Sequence, residues 1–194
     1  ITAGKSMRAN GYLDRLIDML DKQGIGHALF DKILPNPVLR HVHEGAALAR
    51  EQGCDFVIGL GGGSSIDSAK SIAVMAKNPG DYWDYISGGS GKGQPLVNGA
   101  LPIVAIATTA GTGSEVNPYS VMTLPSGEQK KTFKAADTWF RVAFVDPRYT
   151  ESLSWNTTVS TALDAFAHAL ESYLSPKSSV FSEKAALFAA DKIW

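Results

Sequence analysis

Apolar runs of strand length alternate with segments of helical periodicity along the first three quarters of the chain. After a strand that begins at Ile1, the apolar runs are residues 27–33, 54–60, 101–109 and 142–147. The segments with apolar residues at helical spacing are 11–24, 36–53 and 65–78. Because continuous apolar runs are typical of parallel strands covered on both faces, the pattern predicts βαβ units. We expect an α/β fold with a mostly parallel sheet flanked by helices.

Local signals add detail to this pattern. Asn36 is the expected N-cap of the second helix, with Pro37 as its first residue. Residues 118–133 alternate around a Pro-Ser-Gly sequence, which predicts a β-hairpin. The glycine-rich residues 81–100 predict a surface connection that carries a short helix.

The character of the sequence changes near residue 150. Residues 157–175 and 179–194 both have helical patterns, after Pro147 ends the last predicted strand. We expect an α/β nucleotide-binding domain at 1–150 and the beginning of an all-helical domain at 151–194. The chain starts inside a strand pattern and stops inside a helical one, so we expect a piece of a longer protein.

The charge balance argues against two classes of partner. The net charge is −1, from 18 basic and 19 acidic residues, so neither nucleic acid nor a membrane surface is an expected partner. No segment reaches the roughly 20 apolar residues that a membrane-spanning helix needs. The single cysteine, Cys54, cannot form an internal disulfide and fits a reducing compartment.

A glycine turn joins the run 54–60 to the third helix through Gly61, Gly62, Gly63 and Ser64. A strand, a glycine turn and a helix N-terminus together present backbone N–H groups to a phosphate. The turn lacks the lysine of a P-loop and the third glycine of the dinucleotide fingerprint, so a tight turn without a ligand is the alternative. Asp67, one helical turn on, is either a surface carboxylate or a hydrogen-bond acceptor for a bound nucleotide.

A second loop of small residues, 108–115, follows the next buried strand. Thr108 and Thr109 supply hydroxyl groups, two glycines permit unusual backbone angles, and Ser114 follows them. Ligands of open parallel sheets bind at the carboxyl edge, where this loop and the glycine turn are both expected to emerge. A polar connection into the hairpin is the alternative.

Asp164 and His168 lie four residues apart in an apolar stretch that predicts a buried helix. Positions i and i+4 share one helix face at roughly 6 Å, so this carboxylate and imidazole can bind one divalent metal ion. From the pair alone, a hydrogen bond on a helix face is the simpler interpretation. Zinc or iron usually has at least three protein ligands, and we expect any others beyond Trp194.

Four motifs together resemble the iron-containing (group III) alcohol dehydrogenase family. They are GGGSSIDSAK at 61–70, TTAGTGSEV at 108–116, VDP at 145–147 and DAFAHALESY at 164–173. The PNP sequence at 35–37 also fits, and the resemblance covers essentially the whole chain. It implies a Rossmann-like domain that binds NAD(P) and a helical domain that holds a divalent metal, usually Fe²⁺, with Zn²⁺ as an alternative. It also implies a cytoplasmic homodimer.

The resemblance assigns roles to single residues. It implies a pyrophosphate site at Gly61, Gly62, Gly63 and Ser64, a cofactor-facing Asp67, and nucleotide contacts near Thr108, Thr109 and Ser114. Lys130 matches a lysine that reaches toward the cofactor, although the adjacent Lys131 leaves the register open. Asp164 and His168 match the first two of the family's four metal ligands, which are one aspartate and three histidines.

One departure from the family bears on the cofactor. NAD-preferring members often carry, after the second strand, an aspartate that accepts from the adenosine 2′-hydroxyl, and the spacing to Gly11 puts Gly4 at that position. Without a carboxylate a 2′-phosphate is not repelled, and Lys5 or Ser6 is available to contact it. We therefore expect NADP(H) to be favoured over NAD(H).

The expected reaction is metal-dependent hydride transfer between NAD(P)(H) and a small primary alcohol or aldehyde. We identify no catalytic residue beyond the metal ligands. A glycerol dehydrogenase-like or dehydroquinate synthase-like enzyme of the same fold is one alternative. A non-catalytic nucleotide-binding fragment is the other, and the 194-residue chain by itself is expected to be inactive.

Overall fold

The computed structural model describes residues 1–123 and 130–194 of the chain. In this part of the chain the strands are β1 (Thr2–Gly4), β2 (Phe30–Ile33), β3 (Val57–Gly61), β4 (Ile103–Ala107), β5 (Tyr119–Thr123), β6 (Lys130–Lys134) and β7 (Val142–Val145). The helices are α1 (Lys5–Ala9), α2 (Tyr12–Lys22), α3 (Leu39–Glu51), α4 (Gly63–Lys77), α5 (Trp155–Leu174) and α6 (Val180–Ile193).

A parallel sheet with the strand order β2-β1-β3-β4-β7 confirms the predicted fold class. β3 and β4 pair from Val57 opposite Ile103 to Gly61 opposite Ala107. The chain builds outward from β1 in one direction and from β3 in the other, so the strand order switches between these two strands. Ligands of such sheets bind outside the carboxyl ends of the strands at the switch point. Here those ends are Gly4 and Gly61.

The helix after the glycine turn, α4, is buried along most of its length. Every residue from Ser65 to Met75 is buried. Gly59 lets β3 approach the helix closely, because a Cβ at this glycine would lie 3.0 Å from the Cβ of Ala69. Thr2 Oγ1 donates to the carbonyl of Ser65 at 3.2 Å, which ties β1 to the first turn of α4. These contacts fix the helix N-terminus behind the glycine turn.

β5 and β6 pair in antiparallel fashion, with Thr123 opposite Lys130, as the alternation predicts. The Pro-Ser-Gly sequence that was expected to turn this hairpin lies at 125–127, outside the described residues.

The helix predicted over residues 36–53, which is α3 in the structure, begins later than its local signals predict. The N-cap of α3 is Val38, not Asn36. Asn36 has a φ of 60°, in the left-handed region. The chain then pairs with β5, where the N–H of Thr123 donates to the carbonyl of Pro37 at 2.9 Å. This pairing keeps Pro37 and Val38 out of the helix, so α3 starts at Leu39.

In residues 81–145 two expectations about burial are wrong. All four residues of β7 are exposed, although its sequence predicts a buried strand. β7 is an edge strand with β4 as its neighbour in the sheet. Residues 81–100 carry the expected short helix as a 3₁₀ turn at Tyr82–Tyr85, but Tyr82 and Ile86 are fully buried in the core rather than on the surface.

Contacts divide the chain into an α/β unit and a helical unit. The α/β unit is Ile1–Thr108 with Ser114–Val145, and the helical unit is Thr109–Gly113 with Asp146–Trp194. In the helical unit Ser154 caps α5 by accepting the N–H of Thr157 at 3.2 Å. The sequence-based domain boundary at residue 150 stays a prediction. Among the described helices we find none with the length and apolar character needed to cross a membrane.

Candidate cofactor and metal sites

The glycine turn has a backbone that requires glycine. Gly61 has a φ of 141°, and a Cβ there would lie 2.7 Å from Ser65 Oγ. Gly62 is the N-cap of α4, and its carbonyl accepts the N–H of Ser65 at 3.0 Å. The first N–H groups of a helix have no intrahelical acceptor, and those of α4 lie at the carboxyl edge of the sheet. This arrangement is well suited to binding a phosphate.

The glycine turn lies beside the Pro-Asn-Pro turn and Lys130. The N–H of Asn36 donates to Ser64 Oγ at 3.3 Å, and Lys130 Nζ donates to Asn36 Oδ1 at 2.6 Å. Lys131 lies elsewhere, since its Nζ is 3.4 Å from the point where a Cβ of Gly89 would be. Neighbouring residues of a strand point to opposite faces, so the structure separates two lysines that the sequence left in doubt. Lys130 is the one that adds a cation near the turn.

The second loop leaves the sheet beside the glycine turn. The N–H of Thr108 donates to the carbonyl of Gly61 at 3.0 Å, and Thr108 is buried. The two loops therefore emerge at one carboxyl edge, as the sequence predicts. The next residue, Thr109, belongs to the helical unit by its contacts.

Gly4 lies at the same edge of the sheet. It ends β1, and a Cβ there would lie 3.6 Å from the carbonyl oxygen of Ile33 and 4.0 Å from Ser65 Oγ. These are ordinary contact distances, so a Cβ fits at this position close to the first turn of α4. Lys5 and Ser6 follow Gly4 and are exposed.

Asp67 points into the protein, where the second loop meets α4. Its Oδ1 accepts from Ser114 Oγ, and its Oδ2 accepts the N–H of Val121 at 2.9 Å. Lys70 Nζ lies 3.5 Å from the same carboxylate. These bonds show that Asp67 and Ser114 hold the second loop to α4. Their predicted contacts with a cofactor stay predictions.

Lys70 is a residue of this site that the sequence reasoning did not single out. Its side chain is fully buried, and its ammonium donates to the carbonyl of Ser114 at 2.8 Å and to Asn117 Oδ1 at 3.2 Å. It also donates to the carbonyl of Tyr119. A signal was present, because Lys70 follows Asp67 by three residues and so shares its helix face.

Burial shifts the pKa values of both members of this pair toward the neutral forms. It lowers the pKa of Lys70 to about 8, and the nearby Asp67 carboxylate opposes that shift. Burial likewise raises the pKa of Asp67, against the charge of Lys70 and the hydrogen bonds from Ser114 and Val121. Each charge therefore depends on the other and on the bonds that fix the second loop.

Asp164 and His168 are brought together on α5, but not in a buried setting. Asp164 Oδ1 lies 3.9 Å from His168 Nε2, and the two side chains are 48% and 54% exposed. The sequence prediction of a buried helix face is therefore wrong at these positions. α5 packs on α6 instead through small residues such as Ala169 and Ala186, which are buried.

The geometry of this pair fits two ligands of one metal ion. At 3.9 Å the two atoms are too far apart for a hydrogen bond. Metal–ligand bonds of about 2.1 Å from each atom would meet at a shared ion. Across residues 1–123 and 130–194 no group of three or more potential ligands is present, so the described residues offer a pair here.

Comparison with known proteins places the chain in a family. The family described as iron-containing alcohol dehydrogenase matches residues 1–147. The chain belongs to the iron-containing alcohol dehydrogenase family. Family members are oxidoreductases, and the family implies NAD(H) and a metal as cofactors.

Over the matched segments, relatives are about a third identical to this chain. A choline dehydrogenase of Bacillus subtilis (strain 168) is 37% identical over 181 residues, which are 93% of this chain and 44% of the relative. A 4-hydroxybutyrate dehydrogenase of Cupriavidus necator is 36% identical over 196 residues, covering 100% of this chain and 50% of the relative. The chain spans about half the length of the curated relatives it matches.

Solved structures of the family confirm the fold. An NADH-dependent butanol dehydrogenase A of Thermotoga maritima superposes with a TM-score of 0.90 at 34% identity, covering 98% of this chain and 47% of that chain. An iron-containing alcohol dehydrogenase of the same organism superposes with a TM-score of 0.87 at 40% identity, covering 99% and 51% of the two chains.

Proposed function

We propose that the complete protein is a metal-dependent oxidoreductase that transfers hydride between NAD(P)(H) and a small primary alcohol or aldehyde. The observation that carries the proposal is that one chain holds both the Asp164–His168 pair and a sheet edge whose glycine turn and helix N-terminus suit a phosphate. Relatives named for choline and for 4-hydroxybutyrate support a small alcohol as the substrate class.

In this proposal the residues of this chain bind the cofactor and the metal and orient them. The N–H groups around Gly62 would hold the cofactor pyrophosphate, and Lys130 would add a positive charge near it. Asp164 and His168 would hold a divalent metal, with Fe²⁺ favoured and Zn²⁺ as the alternative. When bound, such an ion supplies Lewis acidity toward the substrate oxygen. Holding cofactor and substrate in register is the contribution expected of the protein itself.

The proposed preference for NADP(H) over NAD(H) rests on Gly4. Replacing Gly4 with aspartate puts a carboxylate near the proposed 2′-phosphate, and like charges brought together cost several kcal/mol. We expect the ratio of kcat/KM for NADPH to that for NADH to fall by about 30-fold or more. Steady-state kinetics with both cofactors measures this ratio.

Gly26→Asp is the matched control for this prediction. Gly26 is exposed, and a Cβ there would meet nothing within 4 Å. We expect the cofactor ratio of this variant to equal that of the unmodified protein. An unchanged ratio in Gly4→Asp would show that position 4 does not face the adenosine ribose.

Three further features belong to the proposal. A homodimer and a cytoplasmic location are supported by the family resemblance, and the single cysteine Cys54 agrees with a reducing compartment. We also propose that residues 1–194 by themselves are inactive. The support for this is that the described residues contain no group of three or more side chains that could hold a metal ion.

The test of the proposed function is a turnover assay on the complete protein. The protein is loaded anaerobically with Fe²⁺, and the oxidation of NADPH by butyraldehyde is followed with NADH in a parallel reaction. Turnover that stops on chelation and returns with Fe²⁺ is the expected result. Bound metal without turnover with either cofactor would contradict the proposal and favour a different reaction on the same fold.

A further inference from the structure

The tip of the second loop rests on the helix that carries Asp164 and His168. Residues 109–113 cluster with the helical unit. Gly111 has a φ of 141°, and a Cβ there would lie 2.0 Å from the carbonyl oxygen of Thr161 and 2.9 Å from its Cβ. The loop backbone therefore lies directly against α5, at a distance that leaves no room for a side chain.

The contact falls on the helix face that carries the proposed metal ligands. Thr161, Asp164 and His168 are at positions i, i+3 and i+7, which form one stripe along α5. Thr161 Oγ1 donates to the carbonyl of Thr157 at 2.9 Å, so this turn of the helix is regular at the point of contact. Gly111 thus packs on the turn directly before Asp164.

A side chain at position 111 would meet the backbone of the helix rather than the end of a flexible side chain. The nearest atoms are the carbonyl oxygen and carbon of Thr161. We therefore expect the strain to disturb the first turns of α5.

We propose that Gly111 is a positioning residue for the Asp164–His168 pair, because its backbone lies against the turn of α5 directly before Asp164. This inference rests on the proposed function.

Gly111→Ala and Gly113→Ala in the complete protein form a matched pair of variants. Both glycines have positive φ, but a Cβ at Gly113, where φ is 61°, would meet nothing within 4 Å. We expect Gly111→Ala to weaken Co²⁺ binding about tenfold or more, the effect typical of residues that orient metal ligands, and Gly113→Ala to change it less than about threefold. Competition with a chelator measures the affinity, and hydrogen exchange reports faster opening of residues 155–168 in Gly111→Ala alone. With Fe²⁺ loaded, kcat should fall more than the KM for NADPH rises.

Equal Co²⁺ affinity and equal exchange of α5 in the two variants would overturn the inference. If Gly111→Ala does not fold, hydrogen exchange of the unmodified protein with and without Co²⁺ decides. Protection of 109–113 together with 158–168 on metal binding supports the inference. Protection of 158–168 alone overturns the inference and leaves the proposed function standing, whereas protection of neither segment overturns both.

Discussion

Replacing Asp164 with asparagine is expected to lower kcat by about 1,000-fold or more in the complete, Fe²⁺-loaded protein. The variant removes the anionic member of the proposed ligand pair, and an amide is a poor ligand for iron. In the 194-residue chain this side chain is about half exposed, so its loss should leave the fold of this part nearly unchanged. Metal content after gel filtration reports the loss of the ligand, and steady-state kinetics measures the fall in kcat.

Glu171→Gln is the control for that variant. Glu171 lies two turns further along the same face of α5, is exposed, and loses the same charge. We expect this variant to keep both its metal and its turnover. Full turnover in Asp164→Asn would contradict the assignment of Asp164 and His168 as metal ligands.

The second large effect is expected at Lys70. Replacing this lysine with methionine should lower the free energy of unfolding by about 3–5 kcal/mol, because removing one partner of a buried ion pair leaves the other charge uncompensated. Asp67 would lose its buried cation, and the carbonyls of Ser114 and Tyr119 would lose a donor. Urea unfolding of the complete protein measures the change.

Lys77→Met provides the comparison on the same helix. Lys77 is exposed in the last turn of α4, and its replacement should change the free energy of unfolding by less than about 0.5 kcal/mol. Equal stability of the two variants would show that the buried network contributes nothing particular to the fold.

The difference in stability between the unmodified protein and Lys70→Met should depend on pH. In the folded chain the pKa of Lys70 is lowered from 10.5 to about 8, so between these values the unfolded chain binds more protons. Stability contributed by Lys70 therefore rises with pH through this window. The difference in unfolding free energy between the unmodified protein and Lys70→Met should widen above pH 8. A difference that stays constant from neutral to alkaline pH would contradict the lowered pKa.

The sheet and its ligand-binding edge could be predicted because parallel strands covered on both faces leave continuous apolar runs in the sequence. The glycine turn at Gly61 and the threonines at 108 and 109 follow two such runs, and the structure places both loops at one edge. Local signals predicted the wrong start of a helix where a segment distant in the sequence pairs with the same residues. Asn36 has the chemistry of an N-cap, but pairing of Pro37 with Thr123 delays the helix.

Lys70 shows why part of the site was unpredictable. A lysine in a helix is usually a surface charge, and the burial of this one depends on oxygens of residues 114–119, more than forty positions on. The exposure of Asp164 and His168 escaped prediction for a related reason. The spacing of a motif defines a shared helix face, whereas the exposure of that face depends on what packs against it.

The most direct test of the central claim is to follow the hydride itself. The complete protein, loaded with Fe²⁺, is given NADPH deuterated at the reactive carbon of the nicotinamide together with butyraldehyde, and the alcohol is analysed by mass spectrometry. Hydride transfer predicts one deuterium on the carbinol carbon of each product molecule when the label is on the transferred face, with no product after chelation. An alcohol without deuterium when either face of the nicotinamide is labelled, or product that forms equally well without metal, would contradict the account.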